Sequence, residues 1–403
     1  MDGASLAEFS PSAAETQEEE VFLTDIRAFL DLALTTDLRE AGRRTLGVHA
    51  EVGACRLWHR RLYERGWIAP AWPAAWGGTG WTPRQRFLFD RELSRNDAPI
   101  LFATGLRSLG PLLIEMGSPA QRARYLPAIL SGAELWCQGF SEPGAGSDLA
   151  AVSTRAVRDG DDYVINGAKI WTTGAHFCDQ MFAIFRTSDG PKRQQGLTFL
   201  LVDMKTPGVT VTPIIELSGE HEFNHVYFDN ARVPAANRIG AEDDGWSVAK
   251  RLMELARSNN TPAALVARVL LRTTAALLAA EDQDEVEPAL RRRLAGLWIE
   301  LEAFERLEFA ALGSGRPRQG DIGGTSMLKL IGSELHQKVA ELAFDIAGPR
   351  ALATLDAIGL AGDDIDAGAR AVAKHFAVRA ATIYSGSSET QRNVIGKALL
   401  ATR

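Results

Sequence analysis

The sequence predicts an α+β fold in three parts. These are an N-terminal α-helical domain over residues 1–135, a central small β-barrel or sandwich over 136–235, and a C-terminal four-helix bundle over 236–403. Three observations predict it. Apolar residues recur at helical spacing from Glu18 to Glu134. Short β-like runs broken by Gly, Pro, Asn and Asp fill the stretch from Val152 to Pro234. Helical spacing returns from Gly245 onward. At 403 residues the chain is long enough for two or three packed units.

The elements follow in order. Residues 1–20 are acidic and lack the basic-then-apolar order of a secretory signal, so they read as a short polar lead-in. Phe22, Ile26, Phe29, Leu30 and Ala33 then mark one face of a helix. The loop APAWPAAWGGTGWTP, residues 69–83, holds three of the nine tryptophans and is expected to pack as aromatic plugs at a helix junction. In the β region DGDD separates STRAVR from YVING; QMFAIFRT, GLTFLLVDM, GVTVTPI and NHVYFDNARVP follow. No helix-length segment lies between these six runs, which excludes βαβ units. Further on, Leu290, Leu294, Leu297, Leu301 and Phe304 form a narrow stripe suited to a bundle seam. Met327, Leu330, Ile331, Leu335, Val339 and Leu342 repeat the theme, and Gly348-Pro349 stops it.

Composition narrows the function. Hydrophobic residues make up 46% and charged residues 24%, which excludes a disordered chain. Lys plus Arg number 44 against 51 acids, a net charge of −7 that argues against a grip on nucleic acid or an anionic membrane. Cys55, Cys137 and Cys178 share no CxxC spacing, as expected of a reduced, cytoplasmic protein. No run reaches the roughly 20 apolar residues of a membrane span; the best, residues 263–280, carries Arg268 and Arg272. Residues 221–225, HEFNH, match the H-E-x-x-H pattern of zinc peptidases, but that chemistry needs a helix. Here the composition is that of strand and turn, on which the two imidazoles stand about 13 Å apart. No metal site is expected.

The most informative segment is WCQGFSEPGAGSDLA, residues 136–150, whose glycines and two serines offer bare N–H groups and hydroxyls to an anionic or polar ligand edge. NGAKIWTTGA follows at 166–175 and IYSGSSETQRNVIGK at 383–397. These three blocks in this order resemble the acyl-CoA dehydrogenase family, and most of all a bacterial branch typified by the pimeloyl-CoA dehydrogenase large subunit. The likeness runs from about residue 20 to the end, through LPAILSG, the ARVP turn and EDDGWS. It implies a tetramer, homomeric or heteromeric, with FAD at its subunit interfaces, an acyl-CoA thioester as substrate and an electron-transfer flavoprotein as electron acceptor. By the same resemblance Gln138, Phe140, Ser141, Gly146 and Ser147 line the flavin, and Ser147 also touches the thioester arm. Trp171, Thr172 and Thr173 stand against the isoalloxazine. Ser387 and Glu389 bind the diphosphate region, Gly386 makes room, and Gly348 meets a neighbouring subunit's FAD.

The sequence departs from the family at the reaction itself. The family removes an α-proton with a Glu while the β-hydrogen leaves as hydride, so a base must reach that carbon. That Glu immediately precedes the first Gly of the YxGxS block or sits just before an Arg on the helix after GW. Here those positions hold Ser385 and Ala256, the latter followed by Arg257. Both expected bases are absent. Glu254 is the nearest acid, but two helical residues differ by about 200°, which turns it away. A lone serine hydroxyl is a poor proton acceptor. The R-x-x-F-G motif is also missing, whereas Arg257 keeps the family's arginine as a substrate contact. Three readings remain: a desaturase with an unrecognised base, a base-less subunit that completes the FAD site of a heteromeric enzyme, or altered flavin chemistry such as desulfination or oxygenation. The polar SNNTP after Arg257 either caps the next helix through Ser258, Asn259 and Asn260 or faces a polar substrate.

Overall fold

The computed structural model describes residues 13–259, 262–281, 287–313, 322–348 and 367–401. Helix α1 (Ala13–Ala33) begins inside the stretch expected to be a polar lead-in. Its alanines and glutamates are strong helix formers, and Ile26 and Leu30 then anchor it in the core. Five helices follow: α2 (Thr36–Arg44), α3 (Val52–Arg65), α4 (Pro83–Arg95), α5 (Gly110–Met116) and α6 (Pro119–Ser131). Thr82 with Gln85, and Ser118 with Gln121, form capping boxes ahead of a proline in the first turn of α4 and α6. The tryptophan loop is packed as expected. Trp72 Nε1 donates to Leu106 O at 2.7 Å, and Trp81 meets Phe22 and Phe89 edge-on. A Cβ on Gly110 would lie 2.0 Å from Trp72 Cζ2, so only glycine fits beneath that ring.

All six expected β runs are strands: β2 (Arg155–Asp159), β3 (Asp162–Lys169), β4 (Gln180–Arg186), β5 (Leu197–Asp203), β6 (Val209–Ile214) and β7 (Phe223–Pro234). Two more join them, β1 (Trp136–Gly139) and β8 (Arg238–Ile239). Between barrel and sandwich, hydrogen bonding makes one continuous sheet, ordered β6-β7-β3-β2-β4-β5-β8, with β1 parallel to β4. Both faces of β4 and β5 are covered. Phe182, Ile184, Phe199 and Leu201 join a core with Val248 and Leu252, while Met181, Phe185, Leu200 and Val202 face Tyr163 and Val226. Gln121 Nε2 donates to Ala236 O and Arg238 O, which ties α6 to the end of the sheet.

Helices α7 (Gly245–Asn259), α8 (Ala263–Ala279), α9 (Pro288–Gly313), α10 (Ile322–Ala347), α11 (Ala367–Ala377) and α12 (Ser388–Ala401) complete the described chain. Helix α10 is central and packs against α8, α9, α11 and α12. The sequence stripes meet in that core: Leu297, Leu301 and Phe304 with Leu335, Val339 and Leu342. The side chains of Ser258, Asn259 and Asn260 lie outside the described residues. Glu308 of α9 reaches across the bundle to the first donors of α8 and accepts from Ala263 N at 2.7 Å and Ala264 N at 2.9 Å. The three cysteines are free and buried. Among the described residues, no helix is long and apolar enough to cross a membrane.

Candidate active site

The glycine-rich loop after β1 is held from below. Glu142 N donates to Ala145 O and Ala145 N returns the bond to Glu142 O, closing a tight turn over Pro143 and Gly144. The buried Glu142 carboxylate accepts from Ser153 N (2.7 Å), Thr154 N (3.1 Å) and Lys169 Nζ (2.8 Å). Burial raises this carboxyl, but Lys169 and those donors outweigh it and leave it below its ordinary value. Lys169 is itself fully buried, and burial pulls its ammonium down to about 8 against the attraction of Glu142. With that anchor beneath, the upper side of the loop is open. A Cβ on Gly144 or Gly146 would meet nothing within 4 Å, Ser141 is half-buried, and Ser147 is exposed.

The Trp171 loop leaves β3 beside it, since Ile170 N donates to Ser141 O at 2.9 Å. Trp171 adopts a left-handed φ of 57° and is 54% exposed, braced edge-on by Phe223 at 5.9 Å. Asn224 fixes the next residue from both sides: its O accepts from Thr172 N at 3.1 Å, and its Nδ2 donates to Thr172 O at 3.0 Å. Thr172 is 1% exposed, yet its Oγ1 has no partner among the described residues. Buried polar atoms are nearly always satisfied, so an orphaned hydroxyl beside an exposed indole and an open glycine loop marks a ligand edge. Thr173 is half-buried in the same loop.

The C-terminal block forms a tight turn of its own. Gly174 N donates to Glu222 O, and the Tyr384 hydroxyl is pushed up to about 12, by burial first and then by Glu222 and Glu216. Ser385 (φ 54°) and Gly386 (φ 90°) form a left-handed turn, and a Cβ on Gly386 would come within 2.3 Å of Gln391 Nε2. Ser387 Oγ accepts from Thr390 N at the start of α12, and Glu389 is exposed in its first turn. Glu389 is held below the ordinary carboxylate range by its own backbone N–H and the Ser387 hydroxyl. The structure thus brings Ser141, Trp171, Thr172 and Thr173 together, while the 385–389 turn caps the head of α12. Gln138 lies in β1, and Phe140 is buried against Phe182 and Phe199. Gly348 stands apart, at the end of α10. It is 14 residues beyond Glu334, which pairs with Arg392 of α12, so the separation along the helix axis is about 21 Å.

At the two expected base positions there is no acid. Ala256 is half-buried on α7 and Ser385 is exposed. Glu254 is exposed and bound to Arg251, which also clasps Glu115 on the outer surface. The Arg257 side chain lies outside the described residues. HEFNH is loop and strand, not helix: His221 Nε2 bonds Asn224 Oδ1 and stacks on His176, while His225 Nδ1 bonds the Tyr227 hydroxyl. No group of three His, Cys, Asp or Glu among the described residues is placed to hold a metal.

Two features escaped the sequence reading. The Glu142–Lys169 pair sits inside the quoted motifs, one member in each, and a charge embedded in each of two glycine-bearing blocks was its only signal. The second is a cavity of about 120 Å³ walled by Leu62, Trp67, Trp72, Phe87, Leu101 and Leu106, into which Arg86, Asp90 and Arg107 also project.

The fold is that of a three-part helical–sheet–helical protein whose sheet carries the glycine-rich and Trp171 loops side by side. Models of the acyl-CoA dehydrogenase N-terminal, middle and C-terminal domains match residues 16–133, 137–231 and 243–400. The chain belongs to the acyl-CoA dehydrogenase family of flavoprotein oxidoreductases. It is 36% identical over 391 residues to the acyl-CoA dehydrogenase IpdE1 of Mycobacterium tuberculosis, covering 95% of this chain and 98% of that one. Among solved structures, the ChsE4-ChsE5 complex from Mycobacterium tuberculosis matches with a TM-score of 0.78 at 27% identity, covering 98% of both chains. The Tcur3481-Tcur3483 steroid ACAD matches at 0.79 and 26%, covering 97% of this chain and 98% of that one.

Proposed function

We propose that this chain binds FAD and an acyl-CoA thioester but carries no base of its own, and that it completes the flavin site of a heteromeric acyl-CoA dehydrogenase whose homologous subunit supplies the Glu. The observation that carries the reading is the contrast within one site: an open cradle with an orphaned Thr172 hydroxyl, and no acid at Ala256 or Ser385. Two of the similar solved structures, ChsE4-ChsE5 and Tcur3481-Tcur3483, are named for two unlike chains, which supports it further.

The residues present suit the cofactor. Ser141, Gly146, Ser147 and the loop N–H groups would meet its polar edge, Trp171 would cover the ring, and Thr172 and Thr173 would donate to it. Ser387 and Glu389, at the head of α12, would lie along the diphosphate, and Gly348 would reach a neighbouring subunit's cofactor. When bound, FAD supplies a hydride acceptor for the β-hydrogen of the thioester. This chain's part is to orient and to exclude water: Ser147 and Gly386 would hold the thioester arm, and Trp171 would shield the ring face. The α-proton leaves to a carboxylate that this chain does not provide. An electron-transfer flavoprotein is the expected acceptor downstream.

Anaerobic titration of the purified protein with acyl-CoA thioesters tests the reading. The lone chain is expected to hold yellow flavin weakly or unbleached, and bleaching is expected when the homologous Glu-bearing subunit is added. Full bleaching of the lone chain would sink the base-less reading.

A further inference from the structure

Two residues of the HEFNH segment, His221 and Asn224, stand behind the loop that carries Thr172. Asn224 is fully buried. Its Nδ2 lies 3.0 Å from Thr172 O and 3.1 Å from His176 Nδ1, and its Oδ1 lies 2.7 Å from His221 Nε2. The chemistry of these partners fixes every proton in the chain. A carbonyl oxygen only accepts, so Thr172 O requires the nitrogen side of the amide. Oδ1 then receives the proton of His221 Nε2, and His176 Nδ1 accepts the second Nδ2 hydrogen. His176 is therefore neutral, with its own proton on Nε2. A proton gained by His221 at Nδ1 leaves its donation to Asn224 intact. A proton gained by His176 at Nδ1 removes the acceptor and sets N–H against N–H. Of the two imidazoles, only His176 breaks the chain by titrating.

His176 keeps an exposed edge through which protons arrive. Its ring stacks on His221 with centroids 3.9 Å apart and meets Phe177 edge-on at 4.8 Å. Phe177 in turn packs on His49, from the chain before α3. Of the acids near these residues in sequence, Glu222 gives its carboxylate to Val48 N at 3.3 Å, Asp179 accepts from Leu135 N at 3.0 Å, and Glu220 is exposed. Partial burial first, then His221 and His49, hold the His176 imidazole below its ordinary value, which favours the neutral ring. What the chain holds is the ligand edge itself. Asn224 grips Thr172 at its carbonyl and, through Asn224 O, at its N–H, and Thr172 carries the orphaned hydroxyl.

We propose that His221, Asn224 and His176 form a proton-sensitive latch behind the flavin loop, which fixes Thr172 and Thr173 for the cofactor while His176 is neutral and releases them when His176 Nδ1 takes a proton. This rests on the FAD reading above and deepens it, adding three positioning residues and a condition under which the cofactor is let go. The sign follows from which form the latch holds. It holds the neutral ring, so it is engaged above the ordinary imidazole value of about 6.5 and is lost as the pH falls through the lowered value of His176. Bound flavin favours the same neutral ring, so flavin and proton compete.

The test reads the latch first without flavin and then with it. In the flavin-free chain, amide hydrogen exchange across residues 171–175, corrected for the intrinsic effect of pH, should lose protection as the pH falls from about 7.5 to about 5. FAD affinity is read by fluorescence titration, with the homologous subunit added where the lone chain holds none. It should weaken about three- to tenfold over the same range, the worth of one hydrogen bond. His176→Asn sets an amide oxygen in place of Nδ1, an acceptor that does not titrate, and both readouts should become flat at the level of the neutral wild type. Asn224→Leu should hold both at the weak level throughout. Circular dichroism at each pH confirms that the variants stay folded. Protection that does not change with pH, or that falls equally in His176→Asn, overturns the latch. Protection that falls while flavin affinity stays constant overturns its link to the cofactor. A latch that opens as expected in a chain that binds no FAD, alone or with the homologous subunit, overturns the FAD reading instead.

Discussion

Thr172 is the side chain whose chemistry most directly asks for a ligand. Its Oγ1 is buried, unpartnered among the described residues and held at a fixed place by the two Asn224 bonds. Thr172→Val keeps the shape and removes the hydroxyl. We expect it to weaken flavin binding about three- to tenfold, the worth of one net hydrogen bond, and to leave the melting temperature of the flavin-free protein unchanged or slightly raised. Fluorescence titration with FAD and a thermal melt of the flavin-free protein measure the two halves separately. Lys169 behaves in the opposite way. It is the cation beneath the loop, so Lys169→Met strands a buried Glu142 and should cost about 3–5 kcal/mol in urea unfolding, with flavin lost as a consequence. Ser385 offers a third test on the same site. If the chain lacks only a base, Ser385→Glu returns a carboxylate ahead of Gly386, and the lone protein should then bleach with a thioester that leaves the wild type yellow. No gain of bleaching in a folded, flavin-bound variant would count against the assignment of that position.

At the scale of elements, the bundle seam carries a pH dependence. His336 of α10 is pushed down to about 3, by burial first and then by Lys374 and Arg379 beside it, and its Nε2 has no partner among the described residues. The folded chain therefore keeps it neutral, while the unfolded chain binds a proton below about pH 6.5. This contribution is fully present above that pH and is lost as the pH falls toward 3. Melting temperature should drop across that window, and His336→Gln should flatten the drop; an unchanged slope would remove His336 as its source. Sequence periodicity exposed the elements well wherever a single face is buried, as with Leu297, Leu301 and Phe304 or the six longer strands. It failed where length or partnership decided. Strands β1 and β8 have four and two residues, too few to show an alternation, and β1 is a strand only because β4 lies beside it. The cap of α8 comes from Glu308 on another helix, a relation no local window contains. The site was half legible for the same reason. Its loops are contiguous motifs, whereas the Glu142–Lys169 pair beneath them joins two blocks 27 residues apart, a partnership no local window contains.

The whole molecule leaves its cradle open and its bundle unfinished. Ile299 on α9 and Leu399 and Leu400 on α12 are exposed by 65% or more, and large apolar side chains left exposed on two helices that both pack against α10 are what an assembly covers. Gly348, about 21 Å along α10 from Glu334, which pairs with Arg392 of α12, belongs on the proposed assembly to a neighbour's flavin site. One consequence separates assembly from folding. Because the cofactor would be gripped by two chains, disrupting their contact should release it without unfolding either. The double variant Ile299→Asp/Leu400→Asp is expected to lower the mass seen by light scattering and to lose visible flavin absorbance on gel filtration. Its far-UV circular dichroism and flavin-free melting temperature should stay close to those of the wild type, since exposed residues on helix surfaces contribute little to the fold. A variant that assembles normally would move the interface elsewhere on the bundle. One that dissociates yet keeps its flavin would show that a single chain suffices to hold the cofactor, and the shared-site reading would fall.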